Sequence, residues 1–563
     1  MTTIKQRHYP QSAADTLQQA GLPPLLAKLF AARGVQDEAA VGVSLGQLLP
    51  PDTLTSNLQM AVLLADAILA GKKMLVVGDY DADGATATAV AIKGLRAFGA
   101  DVGFLVPNRF EYGYGLTPEI VALAAQQSPD VIITVDNGIA SVDGVAAANA
   151  CGMQVLITDH HLPGELTPDA ACIVNPNQRG CDFASKNLAG VGVMFYVLLA
   201  LRAEMRARDQ FAQTAEPNLS ELLDLVALGT VADLVKLDAN NRILVEQGLR
   251  RIRAGACSPG ITALLQIAGR DPKTATAQDL GFYVGPRLNA AGRLDDMTLG
   301  IQCLLAATQT QAVQMAQTLH NLNLQRRSIE TDMQESANVE LDAAAVAQQY
   351  SISIYQPDWH QGVIGILASR IKERHHRPVI AFAGAGDGLI KGSGRSIAGL
   401  HMRDALDLLS KQHPELLVRF GGHAMAAGLS IRAENFELFK RSFEHVVRSL
   451  ISEAELESVL EVDGQLEASE MNYEMAQLLE NQVWGQGFVP PLFFDEFEVV
   501  SQRLLADKHL KLMLKHASGN MVEAIYFNQS EFLDTRIQTA YQLQTNSYNG
   551  ARKIQLNLRY VAQ

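Results

Sequence analysis

From Met74 to Thr158 short apolar runs alternate with stretches of helical periodicity, and this rhythm limits the fold more than any other feature of the 563-residue chain. The runs MLVVG, DVGFLV, DVIITV and MQVLIT have strand length, and ATATAVAIKGLRAF, EIVALAAQ and SVDGVAAANA between them have helical spacing. Strand, helix and strand in repetition predict a parallel sheet covered by helices. Every carboxyl-terminal strand end of such a sheet opens on the same edge, where this architecture collects its ligands.

The turns expected at that edge are acidic. Gly78-Asp79-Tyr80-Asp81-Ala82-Asp83-Gly84 follows the first run, Asp136-Asn137-Gly138 the third, and Asp159-His160-His161 the fourth. A lone Asp in a Gly-flanked turn is ordinarily a cap or a solvated turn residue. Three clusters in succession, drawn to one edge, would repel one another without cations. Carboxylate oxygens with imidazole nitrogens and no thiolate suit Mn²⁺ or Mg²⁺ better than zinc. A pair of such ions, about 3.5–4 Å apart, clamps a phosphate and activates water. Asp233 in ALGTVADLV joins the set only through its company, and no GxSxG word accompanies the clusters.

GDYDADG, VDNG, DHH and GTVADLV, in this order, resemble the four motifs of the DHH phosphoesterase superfamily. FEYGYGL, NPN, LAGVGV, GPRLNAAGRL, WHQGVIGILASRI, KGSGRS and GGHAMAAGL extend the resemblance to the RecJ family of that superfamily, over about Lys72 to Leu429. The resemblance implies Asp81, Asp83, Asp136, His160 and Asp233 as metal ligands, with Asp136 bridging two ions and His161 facing the scissile phosphate. Many superfamily members carry a His where this chain has Val77, and Asp79 is the candidate to fill that place. The implied activity is 5′-to-3′ exonuclease action on single-stranded DNA, releasing nucleoside 5′-monophosphates in repair and recombination.

Length calls for several domains. The reading divides the chain into an N-terminal extension (1–50) packed on the first domain, a DHH catalytic domain (51–305), a solvated connecting helix (306–350), a smaller α/β DHHA1 domain (351–452) and a C-terminal oligonucleotide-binding-like β-barrel (453–563). No apolar run has membrane-spanning length and the N-terminus lacks secretory order, so a cytoplasmic protein is expected. Five scattered cysteines are expected to be packed thiols.

A net charge of −14 is unusual for a binder of polyanions, so cations must gather locally. The candidate contacts to DNA are Arg109, Tyr112 and Tyr114 around EYGYG, Arg287, Asn289 and Arg293 in PRLNAAGR, Lys391, Ser393 and Arg395 in KGSGR, read as a loop for the strand's 5′ phosphate, and His360 and His423. Two lobes joined by a helix are expected to leave a cleft that is locally positive. Rival readings are a phosphodiesterase of oligonucleotides or cyclic dinucleotides and a non-catalytic strand-binding scaffold. The family's role implies a RecQ-type helicase and a single-strand-binding protein as partners, and a monomer is expected.

Overall fold

A computed structural model describes residues 2–108, 111–112, 114–341, 346–548 and 551–562. Strand β1 (Thr2–Gln6) leads into two short helices, after which the expected rhythm gives β2 (Lys73–Gly78), β3 (Asp101–Leu105), β4 (Val131–Val135) and β5 (Gln154–Thr158), with β6 (Cys172–Val174) added. The order β3-β2-β4-β5-β6 is parallel throughout. Apolar residues of both sheet faces are buried, as expected where helices cover both sides. Gly78 lies beside Val135 and Val135 beside Thr158, so Asp79, Asp136 and Asp159 leave their strands at one level.

A second sheet contains β7 (Ile352–Gln356), β8 (Val379–Gly386), β9 (Leu389–Arg395), β10 (Arg419–Gly422) and β11 (Ala426–Arg432), in the order β10-β11-β9-β8-β7. Only β7 and β8 run parallel; the other neighbours are antiparallel. KGSGRS therefore lies largely within strand β9, which corrects the expected loop. Its alternating glycines let neighbours close in: a Cβ on Gly392 would sit 2.6 Å from the Phe382 ring.

β12 (Ser458–Val462) pairs with β1, and β13 (Phe493–Leu505), β14 (His509–His516), β15 (Met521–Tyr526), β16 (Arg536–Tyr548) and β17 (Ala551–Ala562) form a closed barrel. Phe493, Phe497 and Tyr541 fill its core, where the Tyr541 hydroxyl donates to Asp495 at 2.6 Å.

The chain divides into two compact units, one of Gln6–His320 with Glu461–Gln563, the other of Asn321–Leu460 with the first five residues. In the larger unit the N-terminal extension touches the 239–253 helix and also the segment before the barrel. Arg33 bonds Asp463 at 2.9 Å and the Val489 carbonyl at 2.6 Å, Phe30 meets the stacked pair Trp484 and Phe488, and Arg242 lies 4.1 Å from the Phe488 ring centre. The same segment reaches the end of the helix Leu223–Ala232, where Leu237 N–H donates to the Gln486 carbonyl at 2.8 Å.

The long helix Gln309–Glu340 is present and its middle is largely exposed, but one face there is buried. Asn323, Arg326 and Glu330 are buried; Arg326 bonds Glu330 and Asn323, and Arg370 of the helix Ile364–His375 bonds Glu330 at 3.0 Å. Paired charges let a polar helix bury one face. Cys172, Cys181 and Cys303 are packed as expected, Cys257 is half-buried, and Cys151 is exposed, which corrects the expectation for that thiol. Among the described residues no helix is long and apolar enough to cross a membrane.

Candidate metal centre

Each acidic residue is held by a device that its local sequence dictates. Asp81 caps the helix Ala82–Ala97, its Oδ1 accepting from Asp83 N–H at 2.9 Å and Gly84 N–H at 3.0 Å. Asp83 spends both oxygens on the start of the helix Gly190–Ala207, accepting from Gly190 N–H at 2.6 Å and Val191 N–H at 3.0 Å. Asp136 sits at φ 62°, a left-handed conformation costly for a residue with a Cβ and held by the surrounding structure. Asp233 closes the C-terminus of the helix Leu223–Ala232.

These side chains meet. His160 Nε2 lies 3.1 Å from Asp136 Oδ1, 3.5 Å from Asp233 Oδ2 and 3.9 Å from Asp83 Oδ2. Three sets have ligand atoms within 4.8 Å of one another: Asp79 with Asp81 and Asp136; Asp83 with His160 and Asp233; Asp136 with His160 and His161. Asp136 belongs to two of them. Val77 is buried in the sheet and its carbonyl accepts from Asn137 Nδ2 at 3.1 Å, while Asp79 stands with Asp81 and Asp136.

Electrostatics show what the cluster can accommodate. Burial, then the neighbouring carboxylates, push Asp136 and Asp233 well above the usual range, and burial with the charge of Asp81 pushes Asp83 up to about 7. Buried Asp136 Oδ1 accepts no hydrogen bond among the described residues. Oxygen-rich donors with imidazole nitrogen therefore fit a pair of hard divalent cations, Mn²⁺ or Mg²⁺, which would let the carboxylates ionise together.

His161 is arranged differently. Its Nδ1 lies 2.8 Å from Asp159 Oδ1, which also accepts from the His160 and His161 N–H groups at 2.7 and 3.1 Å; Asp159 Oδ2 accepts from Ile139 N–H at 2.9 Å. Burial disfavours charge on His161, but the hydrogen bond and charge of Asp159, with Asp79 and Asp81, outweigh it and lift the imidazole to about 9. The Tyr114 hydroxyl donates to the Asp136 carbonyl at 3.3 Å and lies 3.2 and 3.3 Å from the two ring nitrogens of His161.

Sequence reading did not assign these supports. Asp159 orients His161 rather than joining the ligand sets. Asn175 and Asn177 of NPN donate to the His161 and His160 carbonyls at 2.9 and 2.6 Å, pinning the turn. A Cβ on Gly190 of LAGVGV would fall 2.6 Å from the Asp136 Cβ, and one on Gly292 would overlap the Tyr80 carbonyl. Asn and Gly recurring in quoted words were the available signal.

The other candidates divide. Asn289 accepts from Ala82 N–H at 2.8 Å and so steadies the acidic turn, and Arg293 is half-buried one helical turn on. Arg287 is buried, donating to His320 Nδ1 at 3.2 Å and the Tyr283 carbonyl at 2.5 Å. Tyr112 packs half-buried against the first sheet's core, and Arg109 lies outside the described residues. In the smaller unit Arg395 donates to Ser393 Oγ at 3.2 Å and the Gly394 carbonyl at 2.8 Å, beside Gly365. There too, His360 Nδ1 accepts from Gly362 N–H at 3.1 Å and His423 N–H donates to the Ala426 carbonyl at 2.8 Å.

Comparison with known proteins agrees with this anatomy. The DHH family, N-terminal domain, matches residues 73–230, the DHHA1 domain 344–449 and the RecJ OB domain 462–560. The sequence is 50% identical over 98% of both chains to the single-stranded-DNA-specific exonuclease RecJ of Salmonella typhimurium, and 49% identical over 95% of both to that of Escherichia coli. The crystal structure of RecJ in complex with Mn²⁺ from Thermus thermophilus superposes with TM-score 0.82 at 29% identity, covering 100% of this chain and 79% of that one. The complex with Mg²⁺ from the same organism gives TM-score 0.75 at 27% identity, covering 100% and 78%.

Proposed function

The chain belongs to the RecJ family of single-stranded-DNA-specific exonucleases, and on that premise we propose that it hydrolyses single-stranded DNA from the 5′ end, releasing nucleoside 5′-monophosphates in repair and recombination. The observation that carries the reading is the meeting of Asp79, Asp81, Asp83, Asp136, His160 and Asp233 in overlapping sets of ligand atoms. Two Mn²⁺ or Mg²⁺ ions held there supply charge neutralisation at the phosphate and an activated water.

The chain's own groups do the rest. Asp136, common to two ligand sets, is the carboxylate that would be shared between the two ions. Asp159 keeps a proton on His161 Nδ1, so His161 stabilises charge on the phosphate or protonates the leaving oxygen. Tyr114, against His161 and the Asp136 carbonyl, holds that imidazole and borders the path of the strand.

Tyr112, Arg287, Asn289 and Arg293 serve as contacts or supports for the strand, and Arg109, from its place in the sequence, is a further contact. Ser393 and Arg395, with Lys391, His360 and His423, receive phosphates near the 5′ end. The barrel grips the strand farther along. A RecQ-type helicase and a single-strand-binding protein are the partners this activity calls for, acting with a monomer in the cytoplasm.

The test uses single- and double-stranded DNA labelled at either end, with Mn²⁺, Mg²⁺ or chelator. The 5′ label of the single strand should leave first as a mononucleotide, only with metal. Equal cutting of blunt duplex, or cutting undiminished by chelator, refutes the reading.

A further inference from the structure

Two large apolar side chains stand in solvent on the elements that meet at the end of the helix preceding Asp233, both in unusual backbone. Leu234, next to Asp233, is 67% exposed and sits at φ 60°; Phe282 is 73% exposed within a π-helical turn, Leu280–Val284. A left-handed backbone is costly for a leucine, and π-turns recur at functional sites. Neither residue gains burial in return.

The two elements are packed together by glycines. A Cβ on Gly281 would lie 3.1 Å from Val231 Cγ1, and one on Gly285 3.2 Å from Ala232 Cβ. The π-helical turn therefore rests directly on the last turn of the helix that presents Asp233, and Phe282 on that turn is exposed. Arg270, 4.8 Å over the neighbouring Tyr283 ring, has its charge engaged by Asp279 at 2.5 Å. The two elements that meet next to Asp233 thus expose an aromatic ring and a branched aliphatic chain.

We infer that Leu234 and Phe282 form an apolar seat for the nucleobase attached to the phosphate being cut. This deepens the proposed strand hydrolysis and rests on it: Asp233 shares a ligand set with Asp83 and His160, so a seat on the elements next to Asp233 is close to where the phosphate would be cut. Stacking on an aromatic face fixes the nucleotide's orientation whatever its sequence, because every base has a π-face. A degrading enzyme that must accept all four bases requires that tolerance.

The experiment measures kcat/KM with Mn²⁺ on single strands whose 5′-terminal nucleotides carry either normal bases or abasic sites. For the parent chain the abasic strand should be cut less efficiently by roughly 5- to 150-fold, the range of base–aromatic stacking. Phe282→Ala should lose a comparable factor on the normal strand and almost nothing more on the abasic one. Phe282→Trp should restore the difference, and Leu234→Gly, which suits its backbone, should reduce it. Losses by Phe282→Ala that are equal on both strands, or absent on both, overturn the seat while leaving hydrolysis intact. A parent chain that cuts neither strand overturns the functional reading and the seat with it.

Discussion

The two sheets of this protein solve opposite electrostatic problems with similar numbers of strands. In the first, every strand runs the same way, so each carboxyl-terminal turn delivers its acid to one edge, and the acids end up buried and mutually repelling. In the second, antiparallel pairing scatters the strand ends, and the polar groups line up on a face instead. Lys391, Ser393 and Arg395 alternate with buried residues along β9, opposite Ser430, Gly428 and Ala426 of β11. The difference teaches that parallel topology concentrates charge at points, fitting chemistry on one bond, whereas antiparallel topology spreads it along a surface, fitting grip on a polymer.

The hardest blow to this contrast comes from Asp136→Ala. It should lower kcat by at least about 10³-fold while strand binding changes only a few-fold, because the variant removes a shared ligand and no phosphate contact. Rate and binding falling together, followed by fluorescence anisotropy in parallel with cleavage, would erase the division of labour. Gly190→Ala comes next: its Cβ must displace Asp136, and an ångström of misplacement costs on the order of 10²-fold in rate. A crystal structure or retained activity with the methyl accommodated would show that the edge is less rigid than described.

The third expected effect is thermodynamic. Asp83 has its folded pKa raised to about 7 from an ordinary value near 3.8, and Asp136 and Asp233 are raised as well. Raised carboxyls stabilise the fold fully below their unfolded pKa, and that stability is lost as pH climbs through the folded values. Melting in chelator should therefore be higher at pH 5.5 than at pH 8, by a difference on the order of a few kcal/mol, and Mn²⁺ should shrink the difference. An unchanged pH dependence with metal would deny that cations answer the acidic edge. The smallest effect is Arg395→Ala, expected to weaken strand binding roughly 5- to 10-fold and to lower its salt slope by about one, with kcat on saturating DNA preserved. A kcat defect without a binding defect would reverse the roles of the two sheets.

Much of the first sheet could be read directly from the sequence. MLVVG, DVIITV and MQVLIT are too short and too uniformly apolar to be anything but buried strands, and their acidic successors had to share an edge. The second sheet was half legible: a smaller α/β domain over 351–452 was expected, but β9, β10 and β11 are rich in Gly and Ala, which carry little strand signal. The role of Asp159 was hidden by adjacency, since one turn supplied both a ligand and its neighbour's orienting carboxylate, and only three-dimensional direction separates them. Arg287 and Arg326 look like surface cations in sequence; burial against His320 and Glu330 is long-range packing that no local pattern records.

The bond from Leu237 to the Gln486 carbonyl has a temporal consequence. The turn carrying Asp233 emerges from the ribosome long before the segment that supports it, as does Phe30, which waits for Trp484 and Phe488. The acidic turns are thus all synthesised before the segment that braces the fourth, and the nuclease edge acquires its full scaffold only once residues 484–488 have been made.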